Sequence, residues 1–122
     1  MALTWIRLDT ALPDNPKVLG LLEVKEGHRA AFVYICGLAY AGKHGTDGFL
    51  PSACLARING RRADAQKLVT FGLWQPVMGG WEVNGWSEFQ LSNEETQNRR
   101  KKAQAAANVR WHGSKDAGDA SA

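Results

Sequence analysis

The sequence has few of the residues that build metal sites, disulfide frameworks or membrane spans. Its two cysteines, Cys36 and Cys54, lack CxxC spacing, and its three histidines lie at no spacing typical of metal ligands. We therefore expect reduced thiols and no zinc site. The longest apolar run, residues 30–41, has twelve residues, well short of the roughly 18 that a membrane span requires.

Signals for secretion, nucleotide binding and catalysis are also lacking. The first ten residues contain no apolar signal segment, so we expect a cytoplasmic protein. The glycine-containing segment "GKHGTDG" does not fit the phosphate-binding loop pattern, and no arrangement of residues in the sequence suggests catalysis. The sequence thus predicts a protein without cofactors that is not an enzyme.

The composition is typical of one small folded domain with a basic tail. The 122 residues are 44% hydrophobic and 22% charged, close to the averages of globular proteins. The net charge of +3 arises mostly after residue 91, and residues 99–110 contain five Lys/Arg and no acidic residue. This excess points weakly toward nucleic acid or another anionic surface.

Four helices and a short strand are predicted before residue 72. Asn15 before Pro16 is a typical helix start and predicts a helix over residues 16–25. A longer helix over 28–43 is apolar on nearly every side and should form the spine of the core. A short strand at 48–50 and two short helices, 52–58 and 62–71, follow; the turn between these helices contains Gly60.

The segment "FGLWQPVMGGWEVNGW", residues 71–86, predicts a strand, a glycine turn and a second strand. A two-residue turn at Gly79-Gly80 places Pro76 opposite Val83, where proline cannot supply a hydrogen bond, so a loop one residue longer is an alternative. The shorter turn puts five residues on one face: Trp74, Pro76, Met78, Trp81 and Val83. Because the segment has no Lys or Arg, we interpret its tryptophans as core rather than as a base-stacking platform.

This order of elements predicts an α+β, mainly α, winged helix-turn-helix fold with a basic C-terminal helix. We assign the winged-helix domain to residues 1–91. A capping-box sequence at residues 92–95 starts a polar basic helix over 92–112. Residues 113–122 are expected to be a disordered tail.

Four segments carry a resemblance to a known family: "WIRLDTALPDNPKVLGLL", "TDGFLP", "LVTFGLWQPVMGGWEVNGWSEFQLSNEE" and "AAANVRW". Over about residues 4–111, the chain resembles short helix-turn-helix proteins of actinobacterial phages and prophages. These are similar to the N-terminal winged-helix domain of phage replisome organisers of the DnaD type. The resemblance implies a phage-encoded DNA-binding protein that acts in the cytoplasm of the bacterial host.

The helix at 62–71 is the predicted recognition helix. Its helical projection places Ala65, Leu68, Val69 and Gly72 toward the core and Ala63, Gln66, Lys67 and Thr70 on the opposite side. On that side Gln66 suits adenine and Lys67 suits guanine or phosphate. Asp64 would repel phosphate or accept a hydrogen bond from a cytosine amine. An ordinary solvated helix face remains the alternative.

Phosphate contacts are predicted before this helix and in the basic segment. The candidate DNA-binding residues are Arg61, Arg62, Gln66, Lys67, Thr70, Arg99, Arg100, Lys101, Lys102 and Arg110. For the basic segment, a solvated helix, pairing with a second copy or an acidic partner protein remain open. The adjacent like charges suggest that it orders fully only on binding.

The leading hypothesis is therefore a phage protein of regulatory or replicative role that binds double-stranded DNA. The alternative is a protein-interaction module that binds and redirects a host bacterial protein, since fold does not fix function. A homodimer remains open, because helix-turn-helix proteins commonly bind paired half-sites.

Overall fold

The computed structural model describes residues 2–90 together with Lys102 and Gln104–Ala106. The described part is a mixed α+β structure, mainly helical, with one three-stranded antiparallel sheet. The helices are α1 (Pro16–Glu23), α2 (Gly27–His44), α3 (Arg62–Thr70) and α4 (Trp86–Phe89), and the strands are β1 (Phe49–Pro51), β2 (Trp74–Val77) and β3 (Gly80–Val83). Two 3-10 helices, Leu12–Asp14 and Ser52–Ile58, complete the described elements.

The predicted C-terminal segments lie almost wholly outside the described residues. This applies to the capping box at 92–95, to the predicted disordered tail at 113–122 and to most of the basic helix at 92–112. Within that helix Lys102 and Gln104–Ala106 are described, and they are helical and exposed.

The start of α1 confirms the predicted cap, because the side-chain oxygen of Asn15 accepts a hydrogen bond from the backbone N–H of Lys17 at 2.8 Å. The helix ends at Glu23, two residues earlier than predicted. A turn then brings the first residue of α2 against α1: a Cβ on Gly27 would lie 1.9 Å from the carbonyl oxygen of Leu21. Only glycine permits this approach.

The helix pair before the hairpin differs in one respect from the prediction. Residues Ser52–Ile58 form a 3-10 helix rather than an α-helix, and it ends at Asn59 in the left-handed region with φ 64°. The second member, α3, begins at Arg62 as predicted. Strand β1 lies one residue later than expected.

The hairpin register differs from the predicted one. Trp74 pairs with Val83, Pro76 with Trp81 and Val77 with Gly80, so the turn consists of Met78 and Gly79. The predicted Gly79-Gly80 turn, the pairing of Pro76 with Val83 and the longer loop were therefore wrong. The shift equals two residues, so four of the five predicted residues keep a common face, whereas Met78 lies in the turn and is 97% exposed.

Two glycines explain this register physically. Gly79 has φ +86°, a conformation that favours glycine in a turn. Gly80 belongs to β3, the central strand in the order β1-β3-β2, where a Cβ would lie 2.0 Å from the carbonyl oxygen of Leu50. Close pairing with β1 therefore requires Gly80 inside the sheet rather than in the turn.

The tryptophans of the hairpin region pack against the core between the helices and the sheet. Trp74 is 1% exposed and Trp86 is 6% exposed, which confirms their interpretation as core residues. Trp81 is only half-buried, with its ring centroid 5.5 Å from that of Trp74. Across the core, Trp74 approaches α2 at Gly37, where a Cβ would lie 3.1 Å from the indole.

Candidate nucleic-acid interface

Helix α3 presents one buried and one exposed side, as its projection predicted. Ala65 and Leu68 are buried in the core, whereas Ala63, Gln66 and Thr70 are exposed. Lys67 is half-buried. The exposed side therefore offers an amide and a hydroxyl group, which are polar groups that bind base edges and phosphates.

A groove of about 490 Å³ separates this exposed side from the hairpin. Gln66, Thr70 and Arg62 line it from α3, and Pro76 and Trp81 line it from the hairpin. Sequence reasoning did not place Pro76 and Trp81 at this surface, although both share the strand face of Trp74. The groove thus combines hydrogen-bonding groups and one guanidinium with apolar walls.

A network of charged side chains fixes the start of α3. Asp64 is fully buried, and its Oδ2 accepts hydrogen bonds from the backbone N–H of Arg61 at 2.8 Å, from Arg29 Nε at 3.2 Å and from Arg61 Nε at 3.4 Å. Arg29 also donates to the carbonyl oxygen of Asn59 at 3.0 Å. The carboxylate therefore caps α3 and ties it to α2.

This network bears on two predicted DNA contacts: the base contact of Asp64 and the phosphate contact of Arg61. A fully buried Asp64 cannot accept a hydrogen bond from a cytosine amine, so that reading was wrong. Arg61 is engaged by Asp64 and also donates from Nη2 to Glu26 at 2.8 Å. The hydrogen bond to Glu26, followed by the one to Asp64, raises the pKa of Arg61. Its charge is thus already compensated within the protein.

Arg62 differs from Arg61 in its surroundings. Arg62 is exposed, lines the groove and makes no ion pair with another residue of the described part of the chain. Of these two arginines, Arg62 is therefore the one whose charge is open to an external phosphate.

The structure brings together only part of the predicted site. Arg62, Gln66 and Thr70 line one groove, Lys67 is half-buried nearby on α3, and Arg61 is held by ion pairs. Lys102 is exposed; the other four basic candidates lie outside the described residues: Arg99, Arg100, Lys101 and Arg110.

The described residues were searched for metal-ligand clusters and for helices able to cross a membrane. Within 2–90, Lys102 and 104–106, no group of three or more His, Cys, Asp or Glu side chains is arranged to hold a metal ion. No helix in this same part of the chain has both the length and the apolar character needed to cross a bilayer.

Comparison of the chain with models of protein families, with curated proteins and with solved structures finds no match. The resemblance to phage helix-turn-helix proteins therefore stays a prediction, and the case for a function depends on the geometry of α3 and the hairpin.

Proposed function

We propose that the chain is a winged helix-turn-helix protein that binds double-stranded DNA and places α3 in the major groove. The observation that carries this proposal is the exposed side of α3, which faces a groove beside the antiparallel hairpin β2–β3. The strand order β1-β3-β2, with the helix pair between β1 and β2, agrees with a winged helix. A phage origin and a regulatory or replicative role are part of the same proposal and follow from the resemblance.

On this proposal, each exposed side chain of α3 has a distinct role. Gln66 has the amide geometry that forms paired hydrogen bonds with adenine, and Thr70 can bond to a base edge or a phosphate. Arg62 contacts a phosphate where α3 approaches the DNA backbone. Lys67 assists through its charged end, since half-burial of a lysine leaves the ammonium group near solvent.

The basic segment supplies further phosphate contacts. Lys102 is exposed on a helical stretch, and its basic neighbours are Arg99, Arg100 and Lys101. Four contacts of this kind would increase the slope of log affinity against log salt by roughly 0.9 each. The segment would then contribute affinity without sequence preference.

Fluorescence anisotropy with labelled duplexes, measured across a range of salt concentrations, tests these roles. Gln66→Ala should weaken binding to a preferred duplex more than to random DNA, because it removes a base contact. Arg62→Gln should weaken both equally and reduce the salt slope by roughly 0.9. Lys25→Gln, in the exposed loop between α1 and α2, is the charge-matched control and should bind like the wild type.

The basic segment has its own variant. Replacing Arg99, Arg100, Lys101 and Lys102 together with glutamine should lower the salt slope substantially. An unchanged slope would remove this segment from the DNA contact. Absence of duplex binding at up to about 100 μM protein and about 0.1 M salt would instead favour the alternative function, because non-specific dissociation constants are typically about 10⁻⁴–10⁻⁶ M.

The alternative, a module that binds a host protein, is favoured by one specific surface. An apolar groove of about 160 Å³ lies between α1 and α2, with Phe32 at its rim 58% exposed. Exposed apolar groups of this kind mark protein contacts. Phe32→Ser should leave DNA binding unchanged, whereas it should abolish self-association seen by light scattering or capture of a host protein if this surface is used.

A further inference from the structure

A second groove is lined by residues outside α3 and the hairpin. It has a volume of about 330 Å³ and runs between the C-terminal half of α2 and the 3-10 helix Ser52–Ile58. Seven residues line it: Cys36, Ala39, Tyr40, Lys43, His44, Arg57 and Ile58. None of them is acidic, and none belongs to α3 or the hairpin.

The helical spacing explains why these side chains converge. Cys36, Tyr40, Lys43 and His44 follow one another at intervals of three or four residues or as neighbours, so they share one side of α2. Arg57 reaches the same groove from the last turn of the 3-10 helix. The two elements are held together there by a contact of 3.8 Å between Asn59 Nδ2 and Cys36 Sγ. The groove is thus built on regular elements rather than on loops.

The cations of this groove are uncompensated, in contrast to those at the start of α3. Lys43 and Arg57 are exposed and form no ion pair with any residue in the described part of the chain. The helix dipole favours basic residues such as Lys43 in a last helical turn. The dipole of α2 does not explain why Arg57, which belongs to the 3-10 helix Ser52–Ile58, lines the same groove as Lys43. The lining of this groove contains no acidic residue.

An aromatic pair stands beside these cations. The rings of Tyr40 and His44 have centroids 4.3 Å apart and planes tilted by 38°. Tyr40 is partly buried against the core, whereas His44 is exposed. The core therefore holds Tyr40, which in turn supports the exposed ring of His44. Positive charge next to a fixed aromatic surface is the combination that binds single-stranded nucleic acid.

We propose that this groove binds a nucleotide unit of single-stranded nucleic acid, with the phosphate between Lys43 and Arg57 and the base on the His44–Tyr40 ring pair. Its volume falls at the lower end of the range for ligand sites, roughly 300–1,000 Å³. This site goes beyond the proposed function, because it shares no residue with α3 and can be occupied independently of duplex binding.

Titration of a short fluorescein-labelled oligothymidine with the full chain tests the phosphate contacts. Lys43→Gln and Arg57→Gln should each weaken binding and reduce the salt slope by roughly 0.7, the value for one contact to a single strand. Lys43→Arg, which keeps the charge, should bind like the wild type. The charge-matched control Lys25→Gln should also be unchanged. Equal losses in Lys43→Gln and Lys25→Gln would overturn the proposal, because they would reflect net charge alone.

A base contact requires a different comparison. His44→Ala should weaken binding of oligothymidine by about fivefold or more, as expected for loss of one stacked base. It should not weaken binding of an abasic strand with the same phosphates. Equal losses for the two strands would contradict the stacking role of His44. Competition by free thymidine monophosphate as effective as that by the strand would overturn the strand as ligand and assign a free nucleotide.

The same titrations separate this site from the proposed duplex interface. Gln66→Ala and Arg62→Gln should leave oligothymidine binding unchanged, since both residues lie on α3. If duplex binding fails and oligothymidine binding remains sensitive to Lys43 and Arg57, then only the function proposed for α3 is lost. If duplex binding is seen but oligothymidine binding does not depend on Lys43 and Arg57, the groove is not the binding site and the function proposed for α3 stands.

Discussion

Replacing Asp64 with alanine removes the buried carboxylate that holds the start of α3 in place. The side chain is fully buried and accepts from the backbone N–H of Arg61 at 2.8 Å. It also receives the guanidinium groups of Arg29 and Arg61 at 3.2 and 3.4 Å. The substitution therefore affects a helix cap and two ion pairs at once.

The magnitude follows from the exposure of the partners. Loss of the capping bond costs about 0.5–2 kcal/mol. Arg29 and Arg61 have side chains 44% and 48% exposed, so both regain water when Asp64 is removed. The Arg29 ion pair contributes only about 0–1 kcal/mol. We expect the free energy of unfolding to fall by about 2 kcal/mol. This is less than the about 3–5 kcal/mol for breaking a pair whose members are both buried.

Chemical denaturation measures this loss. Asp64→Ala should lower the midpoint without changing the slope of free energy against denaturant, because the folded and unfolded surfaces are nearly the same. Asp64→Asn keeps an amide oxygen for the Arg61 N–H and should cost about half as much. The control, Glu26→Gln, removes a carboxylate 44% exposed from the same network. It should stay within about 0.5 kcal/mol of the wild type. The reasoning is refuted if Glu26→Gln costs as much as Asp64→Ala.

Four further substitutions test the hairpin and the core. Gly79→Ala should cost about 1–2 kcal/mol for its φ of +86°, since its Cβ would make only an ordinary contact of 3.8 Å with the Phe49 ring. Gly80→Ala should cost more because its Cβ would lie 2.0 Å from a carbonyl oxygen, and thermal unfolding should rank the two variants in this order. Burial raises the pKa of Tyr34, so the folded state holds this proton more tightly than the unfolded state does. The resulting stability is present below about pH 10 and should fall as the pH rises further. Tyr34→Phe should remove the part of the alkaline loss in melting temperature that is due to Tyr34. Met78→Lys, at a position 97% exposed, should leave stability within about 0.5 kcal/mol and raise the duplex salt slope by roughly 0.9; an unchanged slope would separate the hairpin tip from DNA.

Patterns among neighbouring residues predicted where the helices start. The features that the sequence did not reveal depend on contacts between residues far apart in the chain. Asn15 caps α1 through a bond two residues away, so its role can be read from neighbouring letters. The place of Gly80 depends on its close approach to Leu50, thirty residues earlier, and only the folded sheet contains that contact. The hairpin register was therefore wrong by two residues, although four of the five residues predicted to share a strand face do so.

The candidate sites also combine features that depend on neighbouring residues with features that depend on distant contacts. Helical periodicity predicted which side of α3 is exposed, because that depends only on spacing within the helix. It did not reveal that Arg29, which is 35 residues from Asp64, contributes to the capping network. Helical periodicity also did not reveal that Arg57 lines the same groove as Lys43 of α2, since the two elements are separate in the sequence and meet only in the fold.

The distribution of charge sets a limit on how the proposed DNA contact divides between the domain and the basic segment. Residues 2–90 contain nine Lys/Arg and eight Asp/Glu, and two of the nine, Arg29 and Arg61, are already paired. Near the groove beside α3, Arg62 and Lys67 remain, so the domain alone should give a salt slope of roughly 2. If the wild-type slope is near this value and the variant with glutamine at residues 99–102 has the same slope, then α3 acts alone. A steeper wild-type slope that falls to this value in that variant would mean that α3 selects the site and the basic segment provides most of the affinity.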